Sequence, residues 1–157
     1  EKNRKKVVPL VSSHPLKNYE NENEQLFHEM LEKQGCEVVD ISIGYNTFTA
    51  EGYKDAAERI FEECSDMDGI FGVDMAAIAC LREAKLRKLK VPEELSIVSI
   101  DGTYITKLGP EILTSIVQPI EKMAKKLVSM IILQIEGKQV EEIKAIFDVE
   151  IQDGETC

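Results

Sequence analysis

Residues 69–101 read GIFGVDMAAIACLREAKLRKLKVPEELSIVSID and contain two predicted strands separated by a helix. The runs 69–73 and 96–100 are short and apolar, which is typical of strands buried in a sheet. The Ala-rich segment between them predicts a helix from Asp74 to about Lys88. A strand, a helix and a second strand in this order form the right-handed crossover of a parallel sheet.

The same alternation continues on both sides of this stretch. Further strands are predicted at 7–11, 37–43 and 113–117, with a last one at about 145–151, and further helices at 20–34 and 119–136. Another helix is predicted after Thr49, with an apolar face at helical spacing: Tyr53, Ala56, Ala57, Ile60, Phe61 and Cys64. The pattern predicts an α/β fold, with a parallel sheet that carries helices on both faces. Pro9 cannot donate to a β-ladder, so we expect an edge strand or a position at the end of a strand. Thr49 is the expected N-cap of the helix that follows it.

Composition narrows the class of protein. The chain has 157 residues, the size of one domain, and a formal net charge of −10, which opposes binding to nucleic acid phosphates. It has no apolar run of about 20 residues and no signal-peptide pattern, so we expect a cytoplasmic protein without a membrane span. The four cysteines form no CxxC pair and the two histidines are far apart, so neither a metal site nor a cofactor is expected.

Ligands of open parallel sheets bind beyond the carboxyl ends of the strands. Four clusters follow predicted strands: Ser12, Ser13 and His14; Gly44, Tyr45 and Asn46; Val73 and Asp74; Asp101 and Gly102. Asp101 is the strongest candidate, because a carboxylate accepts paired hydrogen bonds from ligand hydroxyls, although a solvated loop aspartate or a cap would look the same. Asp74 is expected to cap the next helix. Tyr45 and Phe48 can stack on a ligand or simply pack.

Patterns of common enzyme classes are missing from the sequence. The Ser12–His14 segment lies outside any GxSxG elbow, no GxGxxG follows a strand, and no GxxxxGK[ST] motif occurs. We therefore expect a protein without catalytic activity.

Two helices are more apolar than one sheet face requires. The start of the helix 74–88 is apolar on every side, and the helix 119–136 carries more apolar residues than a single stripe. Each of these helices is therefore expected to contact a second surface. An exposed patch of this kind favours self-association.

The segment from Asp68 to Gln118 resembles the lactose-repressor/galactose-repressor (LacI/GalR) family of bacterial transcription regulators. The matching residues are Asp74, Ala77, Val91-Pro92-Glu93-Glu94-Leu95-Ser96, Asp101, Leu113-Thr114 and Gln118-Pro119. The resemblance implies a periplasmic-binding-protein-like effector core, with two α/β lobes around a cleft for a sugar or nucleobase. The chain corresponds to the C-terminal lobe (about 7–118), a closing helix (about 119–136) and a final strand (about 145–151). A helix-turn-helix headpiece, absent from this chain, would contact DNA.

The resemblance also implies a homodimer and a set of ligand residues. The dimer contact would include Met75, Ala76, Ile78, Ala79 and Leu81. The effector-binding candidates include Asp101 and, near the hinge, Gln118. Two further candidates stand where the family has other residues: Asn23 where it often has Arg, and Val73 where it has Asn. The aromatic Tyr45 or Phe48 and, at the end of the first strand, Ser13 complete the set. Because Asn23 and Val73 replace the strongest hydroxyl-binding side chains, we expect an effector other than a simple monosaccharide, or none.

Three other functions fit parts of the sequence. A sugar-binding protein of a transport system would share the fold, a flavodoxin-like enzyme would share the sheet, and a lobe with a decayed ligand site would only dimerise. A headpiece encoded upstream of Glu1 would indicate a regulator, whereas a secretion signal there would indicate a sugar-binding protein of a transport system.

Overall fold

The structure of the chain is a computed structural model that describes residues 5–13, 22–44, 48–138 and 144–157. Strands and helices alternate as the sequence predicts. The elements are β1 (Lys6–Ser13), α1 (Glu22–Lys33), β2 (Glu37–Val38), β3 (Ile41–Gly44), α2 (Ala50–Glu63), β4 (Gly69–Val73), α3 (Asp74–Leu86), β5 (Ser96–Asp101), a 3-10 helix (Tyr104–Lys107), β6 (Thr114–Val117), α4 (Ile120–Ile135) and β7 (Glu150–Gln152).

The strands form one mostly parallel, seven-stranded sheet in the order β2-β1-β4-β5-β6-β7, with β3 also paired to β1. Among the strands of the described residues, only the β6–β7 pair is antiparallel. The chain moves from β1 to β3 in one direction and then returns past β1 to β4. This reversal is the topological switch point at which open α/β sheets leave a crevice.

Neighbouring side chains on β4 show that helices cover both faces of the sheet. Ile70 is buried in the core cluster that includes Ala57 and Ile60 of α2 and several residues of α3. Phe71 points to the opposite face, where its ring stacks on Phe27 of α1 with 4.5 Å between the ring centroids. The predicted α/β sheet with helices on both faces is therefore confirmed.

The prediction of an edge strand or a strand end at Pro9 is wrong, because β1 lies between β2 and β3 on one side and β4 on the other, and Pro9 is inside it. The proline is tolerated because β1 pairs with β2 through Val7 and with β3 only from Leu10, so Pro9 faces the interruption between these strands. Val7 O accepts from Val39 N on this side, and backbone groups two residues apart point the same way. The β-ladder is therefore interrupted at the position to which the N–H of any other residue would point.

Two other predicted strands differ from the structure. The segment 37–43 is divided into β2 and β3, which pair with different parts of β1. The final strand predicted at about 145–151 is the shorter β7, and residues 144–149 have no regular secondary structure. Thr49, in contrast, caps α2 as predicted, since its Oγ1 accepts from Gly52 N at 3.1 Å.

The closing helix α4 has 16 residues and buries none of them. Its apolar side chains are exposed along its whole length: Ile120, Met123, Leu127, Val128, Ile131, Ile132 and Ile135. Among the described residues, no helix is both long enough and apolar enough to cross a membrane.

Gly102 follows β5 in a conformation that excludes a side chain. Its φ is +64°, and an added Cβ would lie 2.6–2.8 Å from Cγ2, Cα and Cβ of Val117. Gly35 also has a positive φ, +77°, but nothing lies within 4 Å of its Cβ position. A comparison of alanine substitutions at these two glycines therefore separates the energetic cost of a positive φ from the cost of a steric clash.

We expect Gly35→Ala to lower the free energy of unfolding by about 1–2 kcal/mol, the cost of a left-handed conformation for an L-residue. Gly102→Ala is expected to cost clearly more, because β6 must also move away from the new methyl group. Urea denaturation of both variants measures the difference. Equal losses would mean that Val117 does not restrict this turn.

Candidate functional site

The carboxyl ends of four strands meet at one edge of the sheet. Ser13 pairs with Gly44 at the ends of β1 and β3, and Val73 pairs with Ile100 at the ends of β4 and β5. Asp101 therefore extends one residue beyond Val73 at the same edge. The four predicted clusters contribute backbone from Ser13, Gly44, Val73 and Asp101 to this edge.

Asp101 ends β5 in a backbone conformation that is rare for a residue with a side chain. Its φ is +108°, and such outliers are maintained only where the surroundings enforce them. Gln118 supplies two of the contacts that do so, since its N–H donates to Asp101 O at 3.2 Å and its Nε2 donates to Asp101 Oδ1 at 2.7 Å. The half-buried carboxylate is thus held against the residue that precedes Pro119 and α4.

The electrostatic environment of Asp101 disfavours its charged form. Burial raises the pKa of the Asp101 carboxyl above its usual range, the nearby charge of Asp74 raises it further, and the hydrogen bond from Gln118 opposes both effects. A carboxylate that is costly to ionise and lies in a crevice is characteristic of a functional site.

A cavity of about 390 Å³ opens beside Asp101. It lies between the turn after β5, the end of β6 and the first turn of α4. Its charged lining residues are three acids and one base: Asp101, Glu121, Glu150 and Lys122. The remaining lining includes Thr103, Gln118 and the apolar Val117 and Ile120. The cavity combines hydrogen-bond acceptors, one amide and apolar surface.

Asp74 does not cap α3 as predicted. Val73 occupies the N-cap position and no side chain caps this helix. The carboxylate of Asp74 instead accepts hydrogen bonds from Thr103 N at 2.7 Å and Thr103 Oγ1 at 2.6 Å, and lies 3.4 Å from its more distant donors, Gly102 N and Ser115 Oγ. These donors lie 28–41 positions further along the chain, so the local sequence does not reveal them.

The remaining predicted ligand residues are only partly described. Val73 is exposed at the end of β4, and Phe48 is exposed with its ring tilted against Tyr53 at 6.2 Å between centroids. Of Ser13 and Asn23 the backbone is described, in β1 and in the first turn of α1. His14, Tyr45 and Asn46 lie outside the described residues.

Tyr53 and Thr103 are two residues near this edge that the sequence reasoning did not single out. Burial raises the pKa of the Tyr53 hydroxyl above its usual value, and so does the negative charge of Asp101. The predicted place of Tyr53 on the apolar face of α2 is confirmed, since Tyr53 packs on Ala56 and Ala76. Helical periodicity predicts such burial but not a neighbouring charge on another element.

The outer face of α3 lies between two further cavities. One, of about 440 Å³, separates α3 from residues 105–113, and the other, of about 150 Å³, separates it from α2. Ile78 and Arg82 line both cavities, and Met75 and Ala79 line the second. Of the two other residues expected in the same contact surface, Ala76 is buried, and Leu81 is 8% exposed and lines the first cavity.

Metal ligands do not cluster in the part of the chain that the structure describes. Within it, no three residues among His, Cys, Asp and Glu are grouped so that they could hold a metal ion. Asp74 and Asp101, the acidic pair at this edge, are instead satisfied by N–H and O–H donors of the protein.

Comparison with known proteins identifies similar sequences and folds. The sequence profile of the periplasmic binding protein-like domain matches residues 3–157. A curated relative, the HTH-type transcriptional regulator CelR of Thermobifida fusca, is 24% identical over 128 residues, which are 81% of this chain and 38% of that protein. The chain thus spans about two fifths of the length of this relative.

Solved structures share the fold over nearly the whole chain. A LacI family transcriptional regulator from Bifidobacterium animalis subsp. lactis has a TM-score of 0.83 at 19% identity, covering 98% of this chain and 55% of that one. A complex of the transcriptional regulator CelR with cellobiose has a TM-score of 0.81 at 20% identity, covering 98% of this chain and 47% of that one. At these identities the likeness establishes the fold alone.

The raised pKa of Asp101 predicts a pH-dependent effect of Asp101→Asn. Because the folded chain retains the proton more strongly than the unfolded chain, stability falls as pH rises from about 4 through the raised pKa. Asparagine stays neutral, can still accept from Gln118 and tolerates positive φ. We expect Asp101→Asn to raise the melting temperature at pH 7 by on the order of 2 °C, and by less near pH 4.

Scanning calorimetry at both pH values measures this difference. Asp153→Asn is the matched control, because it removes the same charge from an exposed position. If Asp101→Asn raises the melting temperature at pH 7 only as much as Asp153→Asn does, the reduced net charge is sufficient to explain the increase.

Proposed function

We propose, from the premise that this chain belongs to the periplasmic binding protein-like domain family, that it is an effector-sensing lobe of a LacI-type transcriptional regulator. The main support is Asp101, a half-buried carboxylate with a φ of +108° at the carboxyl edge of the parallel strands, beside a cavity of about 390 Å³. The relatives are transcriptional regulators, and the proposed role of this chain is binding without catalysis.

The lining of the cavity favours a neutral ligand rich in hydroxyl groups. An ionised carboxylate such as Asp101 only accepts hydrogen bonds, so its partner must supply donors, as the hydroxyls of a sugar do. Three acids and one base surround the cavity, which disfavours an anionic ligand. Asn23 and Val73 provide no cation at their positions, which also agrees with an uncharged effector.

The exposed face of α4 supports the proposal that a second lobe completes the cleft. A regulator of this family has more chain than is present here, since this chain spans 38% of CelR. We propose that the chain comprises a C-terminal lobe of about 7–118, a closing helix of about 119–136 that packs on the other lobe, and the final strand β7 (Glu150–Gln152). In the intact protein, a headpiece outside this chain would bind DNA in the cytoplasm.

The outer face of α3 supports homodimerisation. Helix α3 forms a ridge between two grooves: Ile78 lines both, and Met75 and Ala79 line the one next to α2. A ridge flanked by grooves is complementary to a second copy of itself, which is what a two-fold interface requires. Lys85 and Glu111 form an ion pair at the margin of the larger groove and would become part of its polar rim.

Ligand binding is tested on the intact two-lobe protein with cellobiose as the neutral probe and glucose 6-phosphate as the anionic probe. A saturating neutral ligand at about 100 times its Kd stabilises a protein by roughly 2.7 kcal/mol. We expect a thermal shift with cellobiose or another neutral sugar of a screen, none with the phosphate, and loss of the shift in Asp101→Ala.

Two results would contradict the sensing function. One is a full screen of neutral sugars without any shift. The other is a shift that persists unchanged in Asp101→Ala, which would place the ligand elsewhere. Asp153→Ala, an exposed acidic position away from the cavity, is the matched control for the loss of charge.

Dimerisation through α3 must be separated from association through α4. We therefore introduce Leu127→Arg on α4 as the background, because Leu127 is 59% exposed and the change leaves the core intact. In that background, Met75→Arg on α3 is expected to convert dimers to monomers, since two buried guanidinium groups would face each other across the axis. Sedimentation velocity measures the mass.

Leu26→Arg on α1 is the matched control for the Met75 variant. Leu26 is 57% exposed and Met75 is 41% exposed, and both belong to helices. The control variant is expected to remain dimeric. A chain that becomes monomeric with Leu127→Arg alone would show that α4, and not α3, forms the contact.

A further inference from the structure

Asp74 is the most completely buried carboxylate among the described residues, with 3% of its surface exposed. It is the first residue of α3, yet its two oxygens point towards other elements. Oδ2 accepts from Thr103 N at 2.7 Å and Thr103 Oγ1 at 2.6 Å, while Oδ1 lies 3.4 Å from both Gly102 N and Ser115 Oγ. One side chain therefore connects the start of α3 to the turn after β5 and to the interior of β6.

The turn that Asp74 contacts adopts two uncommon backbone conformations in succession. Asp101 has a φ of +108° and Gly102 a φ of +64°. For a residue with a side chain, such a conformation is unfavourable and persists only where other contacts impose it. Gln118 holds Asp101 from one side, and the backbone amides of Gly102 and Thr103 are directed to Asp74 on the other.

We propose that Asp74 is a positioning residue for the candidate ligand carboxylate: it anchors Gly102 and Thr103 and so fixes the direction in which Asp101 leaves the end of β5. The proposal rests on the ligand-sensing function given above, and it assigns to Asp74 an effect on ligand affinity without contact with the ligand. Asp74 does not line the cavity beside Asp101, whereas Gly102 and Thr103 do.

A capping role does not account for this arrangement. A capping side chain would accept from the first amides of its own helix, and α3 has no side-chain cap. Nor does burial of a charge by itself stabilise a protein, because desolvation is offset only when hydrogen bonds satisfy the carboxylate. Here the strongest donors come from the turn that carries Asp101.

Asp74 also influences Asp101 through its charge. Its negative charge adds to burial in raising the pKa of Asp101. Positioning and charge therefore act on the same carboxylate, and a test must distinguish them. Removal of Asp74 changes both, whereas removal of a donor from Thr103 changes only the geometry.

Asp74→Asn and Thr103→Val are compared by NMR in the ligand-free chain. The readouts are amide hydrogen exchange at Gly102 and Thr103 and the pKa of Asp101 from its side-chain carbon shift. We expect at least tenfold faster exchange at both amides in each variant. The pKa of Asp101 is expected to fall in both variants. The charge of Asp74 remains in Thr103→Val, so a lower pKa in that variant indicates that the turn has moved.

Asp68→Asn is the matched control. The carboxylate of Asp68 also accepts from backbone amides, those of Lys5 at 2.9–3.0 Å and Lys6 at 3.1 Å, but it lies at the opposite end of β4. This variant is expected to lose stability without changing exchange at Gly102 or the pKa of Asp101. Thr103→Ser restores the hydroxyl and is expected to restore both readouts.

Unchanged exchange at Gly102 and Thr103 in Thr103→Val, together with an unchanged pKa of Asp101, would overturn the positioning role. If Asp74→Asn does not fold, the Thr103→Val and Thr103→Ser pair decides by itself. Because both readouts need no ligand, they remain informative if no sugar binds, a result that would contradict the proposed function instead.

Discussion

The candidate site depends on the parallel pairing of β5 with both of its neighbours. The β4–β5 pairs end at Val73 and Ile100, and the β5–β6 pairs end at Asp101 and Val117. Because all three strands run the same way, Asp101 emerges between the start of α3 and the segment that leads to α4. A shift of β5 by one residue would turn Asp101 to the other face of the sheet and separate it from Gln118.

Local patterns predicted those features that depend on neighbouring residues in the chain. The order of strands and helices, the apolar face of α2 and the capping of α2 by Thr49 all follow from spacing over a few residues. The failures depend on distant partners. Pro9 is tolerated inside the sheet because the adjacent strand is interrupted, and Asp74 finds donors 28 or more positions away. Single-sequence periodicity contains neither relationship.

The distribution of buried residues divides the chain into a self-contained part and a dependent part. The main core cluster takes its members from the sheet, from α2 and α3, and from the segments that join them, including Ile60, Ile70, Cys80 and Ile97. Helix α4 contributes no buried residue. Loss of α4 would therefore remove little apolar burial from the core, whereas the helix itself gains most of its stabilisation only when another surface covers it. From its composition, α4 is expected to contact a second surface, and the described residues of this chain do not supply one, since none of its side chains is buried.

Gln118 connects these two parts. Its backbone and side chain both donate to Asp101, and the next residues begin α4. A ligand hydroxyl that approaches the Asp101 carboxylate must either share it with Gln118 Nε2 or displace that group. In the first case the ligand adds to a contact that already exists, and in the second it frees the segment before α4. A ligand shifts a conformational equilibrium only by the difference in its affinity for the two states. The Asp101–Gln118 hydrogen bond can therefore couple ligand binding to a conformational change only if its strength differs between the two conformational states.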